Sequence, residues 1–138
     1  MRQTIKQNIR LYPTNFVMDV VFGDVEYLKK IVKMFYEEFF DMDDIEDMSG
    51  KEGAVWSFVD EVEGRDTLKY LLWIKDARNI VTINHEIVHI TWEVQRQTGI
   101  RMDAEAQEFQ AYMHDYLLVE ILNIASNDWW EEIKNQIN

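Results

Sequence analysis

The sequence predicts an α+β domain: a small, mostly antiparallel sheet of three or four strands packed against helices. Three observations point there. Runs at 14–22, 54–62 and 67–74 are dense in Val, Phe, Tyr and Trp, the composition of strands. The stretches that follow residues 24, 76 and 103 repeat apolar residues at helical spacing. Capping and turn residues fall between these runs. With 138 residues, 47% hydrophobic, one proline and five glycines, the chain is sized and composed as one domain over 1–138 with a core of its own.

In chain order, Thr14 to Phe22 is apolar at nearly every position apart from Asn15 and Asp19, so it reads as a strand covered on both faces. Gly23-Asp24 ends it. Asp24 is placed to cap a helix whose stripe is Leu28, Ile31, Val32, Phe35 and Phe39. The acidic stretch Asp41 to Gly53 reads as a solvated loop and lacks the ligand spacing of an EF-hand. Ala54 to Val62 and Thr67 to Ile74 form a hairpin about a four-residue turn, Glu63-Gly64-Arg65-Asp66. Asp76 then caps a helix from Ala77 to about Gln97 that stops at Gly99, with Ile80, Ile83, Ile87, Ile90 and Val94 toward the sheet. Val81, Val88 and Trp92 form a second strip on that helix, which predicts a second covering element. That element is a helix capped by Asp103, running from Ala104 to about Ala125 as an antiparallel neighbour. A last short helix, capped by Ser126 or Asn127, carries Trp129, Trp130, Ile133 and Ile137.

Charge and composition exclude several functions. A net charge of -12 repels phosphate backbones and anionic lipid, so neither nucleic acid nor a membrane surface is the expected partner. The basic N-terminus has no apolar run behind it and no stretch is long enough to span a bilayer, which predicts a cytoplasmic protein. Cysteine is absent, so a metal would be held by His, Asp, Glu or water.

One motif carries chemistry: His85-Glu86-Ile87-Val88-His89. On a helix the two imidazoles share a face, nearly opposite the sheet-facing stripe, at the spacing zinc accepts from two nitrogen ligands. A catalytic zinc needs a third protein ligand and an open position for water. The next helix offers Glu105, Glu108, Tyr112 and Asp115 along one face, so a carboxylate is within reach.

His85-Glu86-Ile87-Val88-His89, followed nineteen residues on by Glu108-Phe109-Gln110-Ala111-Tyr112, resembles the gluzincins, zinc metallopeptidases in which a glutamate of a following helix completes the site. More narrowly, it is similar to the minimal gluzincins and to small metallopeptidases encoded by tailed phages and prophages. The matched motifs span Val81 to Leu118. The resemblance implies Zn2+ held by His85, His89 and Glu108, with Glu86 as general base and a protein or peptide as substrate; on the residues themselves, Glu105 is a rival third ligand. It also implies a substrate lying along Thr67 to Ile74 by strand addition, although the two apolar faces of that segment argue for a covered strand. No downstream Tyr or His motif supplies an oxyanion donor; Tyr112, His114, Tyr116 and Tyr70 are the candidates, and Asp115 is placed to orient a ligating imidazole. The alternative to an enzyme is a zinc-binding module, structural or protein-interacting and phage-derived, that keeps the fold without the reaction. Oligomeric state has no signature in the sequence.

Overall fold

A computed structural model describes residues 3–99 and 106–137, the side chains of 128–137 excepted. The fold is α+β: a four-stranded, mostly antiparallel sheet in the order β1-β2-β4-β3, with two helices on each face. The strands are β1 (Thr4–Arg10), β2 (Val17–Phe22), β3 (Gly53–Val62) and β4 (Arg65–Ile74). The helices are α1 (Val25–Phe35), α2 (Met42–Glu46), α3 (Ile80–Thr98) and α4 (Gln107–Ile137). β1 pairs antiparallel to β2 and β3 antiparallel to β4, while the central β2 and β4 run parallel.

The central strands explain the unbroken apolar runs. From β2, Met18, Val20 and Phe22 join Tyr70, Leu72 and Ile74 of β4 in the core beneath α3 and α4. Val21, Leu71 and Trp73 point the other way, into a core with Leu28, Ile31 and Val32 of α1 and Ile45 of α2. A strand buried on both faces shows no alternation. Thr14 to Phe16, expected within the first run, instead close a loop in which the Leu11 amide donates to the Phe16 carbonyl and the Thr14 amide to the Leu11 carbonyl, both at 2.9 Å. β1 escaped the sequence pattern because only Ile9 of it is buried; it is an edge strand defined by hydrogen bonds.

Helix ends follow local chemistry. The Asp24 carboxylate accepts the Tyr27 amide at 2.8 Å and caps α1 as expected, although Phe35 proves exposed and Phe39 packs from beyond the helix end. The acidic stretch is not simply a loop. Asp41 caps α2 by accepting the Asp43 amide at 3.0 Å, and Ile45 anchors that turn in the core. The hairpin turn is two residues rather than four: Val62 pairs with Arg65, and Glu63 and Gly64 take φ of 52° and 79°, the left-handed pair of a tight hairpin. Asp76 caps only the turn before α3, through the Arg78 amide, and Asn79 caps the helix itself through Thr82. Gly99 ends α3 at φ 75°. The proposed cap Asp103 lies outside the described residues. The break expected at Ser126-Asn127 does not occur, since α4 is continuous to Ile137.

α3 lies across β4 and the edge strand β3, and Gly53 permits the approach. A Cβ there would stand 2.8 Å from Thr82 Cγ2 and 3.0 Å from the Trp73 carbonyl oxygen. Ile83, Ile87, Ile90 and Val94 face the sheet and are fully buried, whereas Ile80, expected in that stripe, is exposed. α4 supplies Met113, Leu117, Ile121 and Ala125 to the same core. The strip Val81, Val88 and Trp92 is not covered by it: Val81 is 80% and Trp92 53% exposed. Two apolar stripes on one helix therefore do not have the same fate. No described helix is long and apolar enough to cross a membrane.

Opposite α3, the fully buried Asp19 of β2 is the polar centre of the second core. Its carboxylate accepts the Asn8 amide at 2.7 Å and the Tyr36 hydroxyl, and pairs with Lys69 Nζ at 3.1 Å. Asp60 stands farther off, 3.8 Å from Lys69. Replacing Lys69 by Ala should cost about 3–5 kcal/mol, because a buried carboxylate loses its counter-charge. Asp60→Asn should cost less than about 1 kcal/mol; urea unfolding of the two variants separates these values, and equal losses would place Lys69 in the service of Asp60 instead.

Candidate metal and catalytic site

The site is built on α3. Its capped start and its buried isoleucine stripe fix the rotation of the helix, and that rotation turns His85 and His89 outward. Their Nε2 atoms stand 3.2 Å apart, with the rings inclined at 76°. Two nitrogens bound at ~2.0–2.1 Å to one tetrahedral ion would be separated by about 3.4 Å, so the pair already has nearly the spacing of shared ligands. Both imidazoles are solvent-exposed, which leaves room for a metal and water.

Glu86 turns the other way, toward β3, and is only 7% exposed. Burial pushes its carboxyl above the usual carboxylate range, opposed by the nearby His89, His85 and Lys51. It borders a cavity of about 410 Å³ whose floor is Val55, Ser57 and Tyr70 of the sheet and whose wall is Glu86, His89, Glu93 and Arg96 of α3. Among the described residues, β3 is the edge strand of the sheet beside this cleft. β4, to which the gluzincin resemblance would assign substrate pairing, has neighbours on both sides and offers no edge.

No family model matches the chain, and neither a curated protein nor a solved structure matches it. The site rests on its own geometry.

Glu108 lies exposed in the first turn of α4. Gln110 Nε2 donates to Gln95 Oε1 at 2.7 Å, and this sets the register of the two helices. Gln95 is six residues past His89, about 9 Å farther along the axis, so Glu108 sits beside the C-terminal end of α3 rather than beside the histidines. Among the described residues, no group of three or more His, Asp or Glu side chains is assembled to hold a metal. Glu105 lies outside the described residues. The other candidates on α4 are also apart from the pair: Tyr112 is exposed and stacks on Tyr116, the Tyr116 hydroxyl donates to the Arg10 carbonyl at 2.6 Å, and Asp115 Oδ1 stands 3.9 Å from His114 Nδ1.

The motif alone did not single out Ser57, Glu93 and Arg96. Glu93 and Arg96 had a signal, since they follow His89 by four and seven residues on the same face. Ser57 had none, because its position depends on hairpin register. Tyr116→Phe should lower stability by about 0.5–1.5 kcal/mol, the net worth of one hydrogen bond. Equilibrium unfolding measures this, and an unchanged midpoint would return Tyr116 to the pool of hydroxyls free for a substrate.

Proposed function

We propose that the chain is a zinc-dependent hydrolase of peptide bonds. The observation that carries this is the pairing of two exposed imidazole nitrogens 3.2 Å apart with a buried glutamate on the adjoining face of the same helical turn. A helix that needed only surface histidines would have no reason to bury the acid between them, since carboxylates are rarely sequestered without a partner or a task. His85 and His89 would hold the metal; the gluzincin resemblance implies Glu108 as third ligand, which α4 would have to shift along α3 to bring to the histidines, and Glu105 is the rival. When bound, zinc supplies Lewis acidity that activates water and polarises the carbonyl under attack.

The residues of the chain do the rest. Glu86 borders the cleft, where it can accept the proton of the attacking water and return it to the departing amine. The free edge of β3 can add an extended peptide as a further strand beside α3, delivering a backbone carbonyl to the cleft. A second reading, an interaction module without catalysis, is favoured by the exposed strip Val81, Val88 and Trp92, because exposed apolar groups on one face mark contact surfaces.

Glu86→Gln separates the two. It should abolish cleavage of a peptide library while about one zinc per chain is retained, as read by metal analysis; turnover equal to that of the wild type would sink the general-base assignment. Metal occupancy also decides the third ligand. His89→Ala should lose zinc, and of Glu108→Ala and Glu105→Ala the one that loses it identifies the carboxylate; full zinc in both variants removes both glutamates from the site.

A further inference from the structure

The cleft contains a polar atom with no structural use. The Tyr70 hydroxyl is fully buried and has no hydrogen-bond partner among the described residues. Leaving such a group unpaired costs about 1–3 kcal/mol, and a phenylalanine would fill the same core position without that cost. Tyr70 stands on the α3 side of β4, paired across the ladder with Ser57, and borders the same cavity as Glu86 and His89. Burial, reinforced by the charge of Glu93, pushes the phenol above its usual range, so it is present as an O–H donor.

We propose that the Tyr70 hydroxyl donates a hydrogen bond to the carbonyl oxygen of the bound peptide and to the oxyanion that this oxygen becomes. The assignment rests on the peptidase reading above. As the water oxygen bonds to the carbonyl carbon, the π pair moves onto the carbonyl oxygen and Glu86 takes the water proton. Collapse of the adduct breaks the C–N bond, and that proton leaves with the amine. Tyr70 gives up no proton in this sequence; it stabilises charge where charge develops, and a donor of this kind acts most strongly when it is preorganised in a water-poor site. The hydroxyl is closed off from solvent in the free protein. Glu93 and Arg96, which pair at 2.7 Å, border the same cavity and are near enough to act on the phenol electrostatically, so a peptide that reaches the hydroxyl would have to displace them. An ion pair at the surface is held weakly enough to allow that movement.

Tyr70→Phe tests the proposal by three readouts: peptide turnover, binding of a phosphonamidate dipeptide to the zinc-loaded protein, and the melting temperature of the chelator-treated protein. The expected result is a fall in kcat of about 100-fold or more with KM changed less than about threefold, a comparable weakening of phosphonamidate binding, and a melting temperature unchanged or raised. A lowered melting temperature with unchanged kcat would make the hydroxyl structural and overturn the proposal. Unchanged kcat and unchanged phosphonamidate binding, in a protein that Glu86→Gln inactivates, would overturn it while leaving the peptidase reading intact. A wild-type protein that neither cleaves peptides nor binds the phosphonamidate would take both down together.

Discussion

The parallel pairing of β2 with β4 is the constraint from which the rest of the architecture follows. Parallel neighbours cannot be joined by a tight turn, so the chain must cross a face of the sheet between them. It does so through α1 and α2, and then enters β4 by way of the hairpin strand β3. One face is therefore occupied before the chain reaches α3. The other face, lined by Met18, Val20, Phe22, Tyr70, Leu72 and Ile74, must be covered by what comes after, and α3 with α4 is what comes after. The hairpin also leaves β3 as an edge, beside which the histidine-bearing helix is laid down.

The two faces have different characters. Beneath α3 the core is almost wholly apolar, and the polar groups gather at the rim where the helix meets β3. On the α1 side a buried ion pair is built into the middle of the sheet, with Asp19 satisfied by an amide, a hydroxyl and an ammonium. The amide belongs to Asn8, whose positive φ of 59° accompanies the slip in register of β1. A register defined by a charged group resists slippage in a way that an apolar strand with two similar faces does not. That rigid partner holds β4 in place, and through β4 the Tyr70 side of the sheet.

The chemistry of the cleft is one of division between the two sides of a single helical turn. His85 and His89 are left in solvent, where a metal and water can reach them, while Glu86 is withdrawn against β3, where its charged form is disfavoured. A group that accepts and returns a proton is useful when its ionised state is not too comfortable, and burial provides that tension. The same cavity is bordered by Tyr70, whose hydroxyl lacks a partner among the described residues, so a carboxyl group and a hydroxyl donor line one space. By helical spacing, the apolar strip of Val81, Val88 and Trp92 runs past the histidines on their other side.

Much of this was legible in the residues alone. Helical spacing placed Ile83, Ile87, Ile90 and Val94 on the sheet and His85 and His89 away from it, because the angle per residue is a property of the backbone. The unbroken apolar runs of β2 and β4 announced strands covered twice. Local periodicity was silent about where separate elements meet. It took two stripes on α3 as two covered faces, yet α4 covers only one, since the Gln95–Gln110 contact sets how the helices lie together. That contact also carries Glu108 past the histidines, and the pairing of β2 with β4 leaves β3 rather than β4 at the edge. The sequence by itself determined the central strands, the hairpin, α1, α3 with its sheet-facing stripe, and the histidine pair, all of which depend on neighbours within a turn or two, whereas β1 and α2 bury too little to show in it. The tertiary structure decided which strands form the edges, what faces Glu86 and that the Tyr70 hydroxyl lacks a partner among the described residues, because each depends on groups brought together from distant parts of the chain.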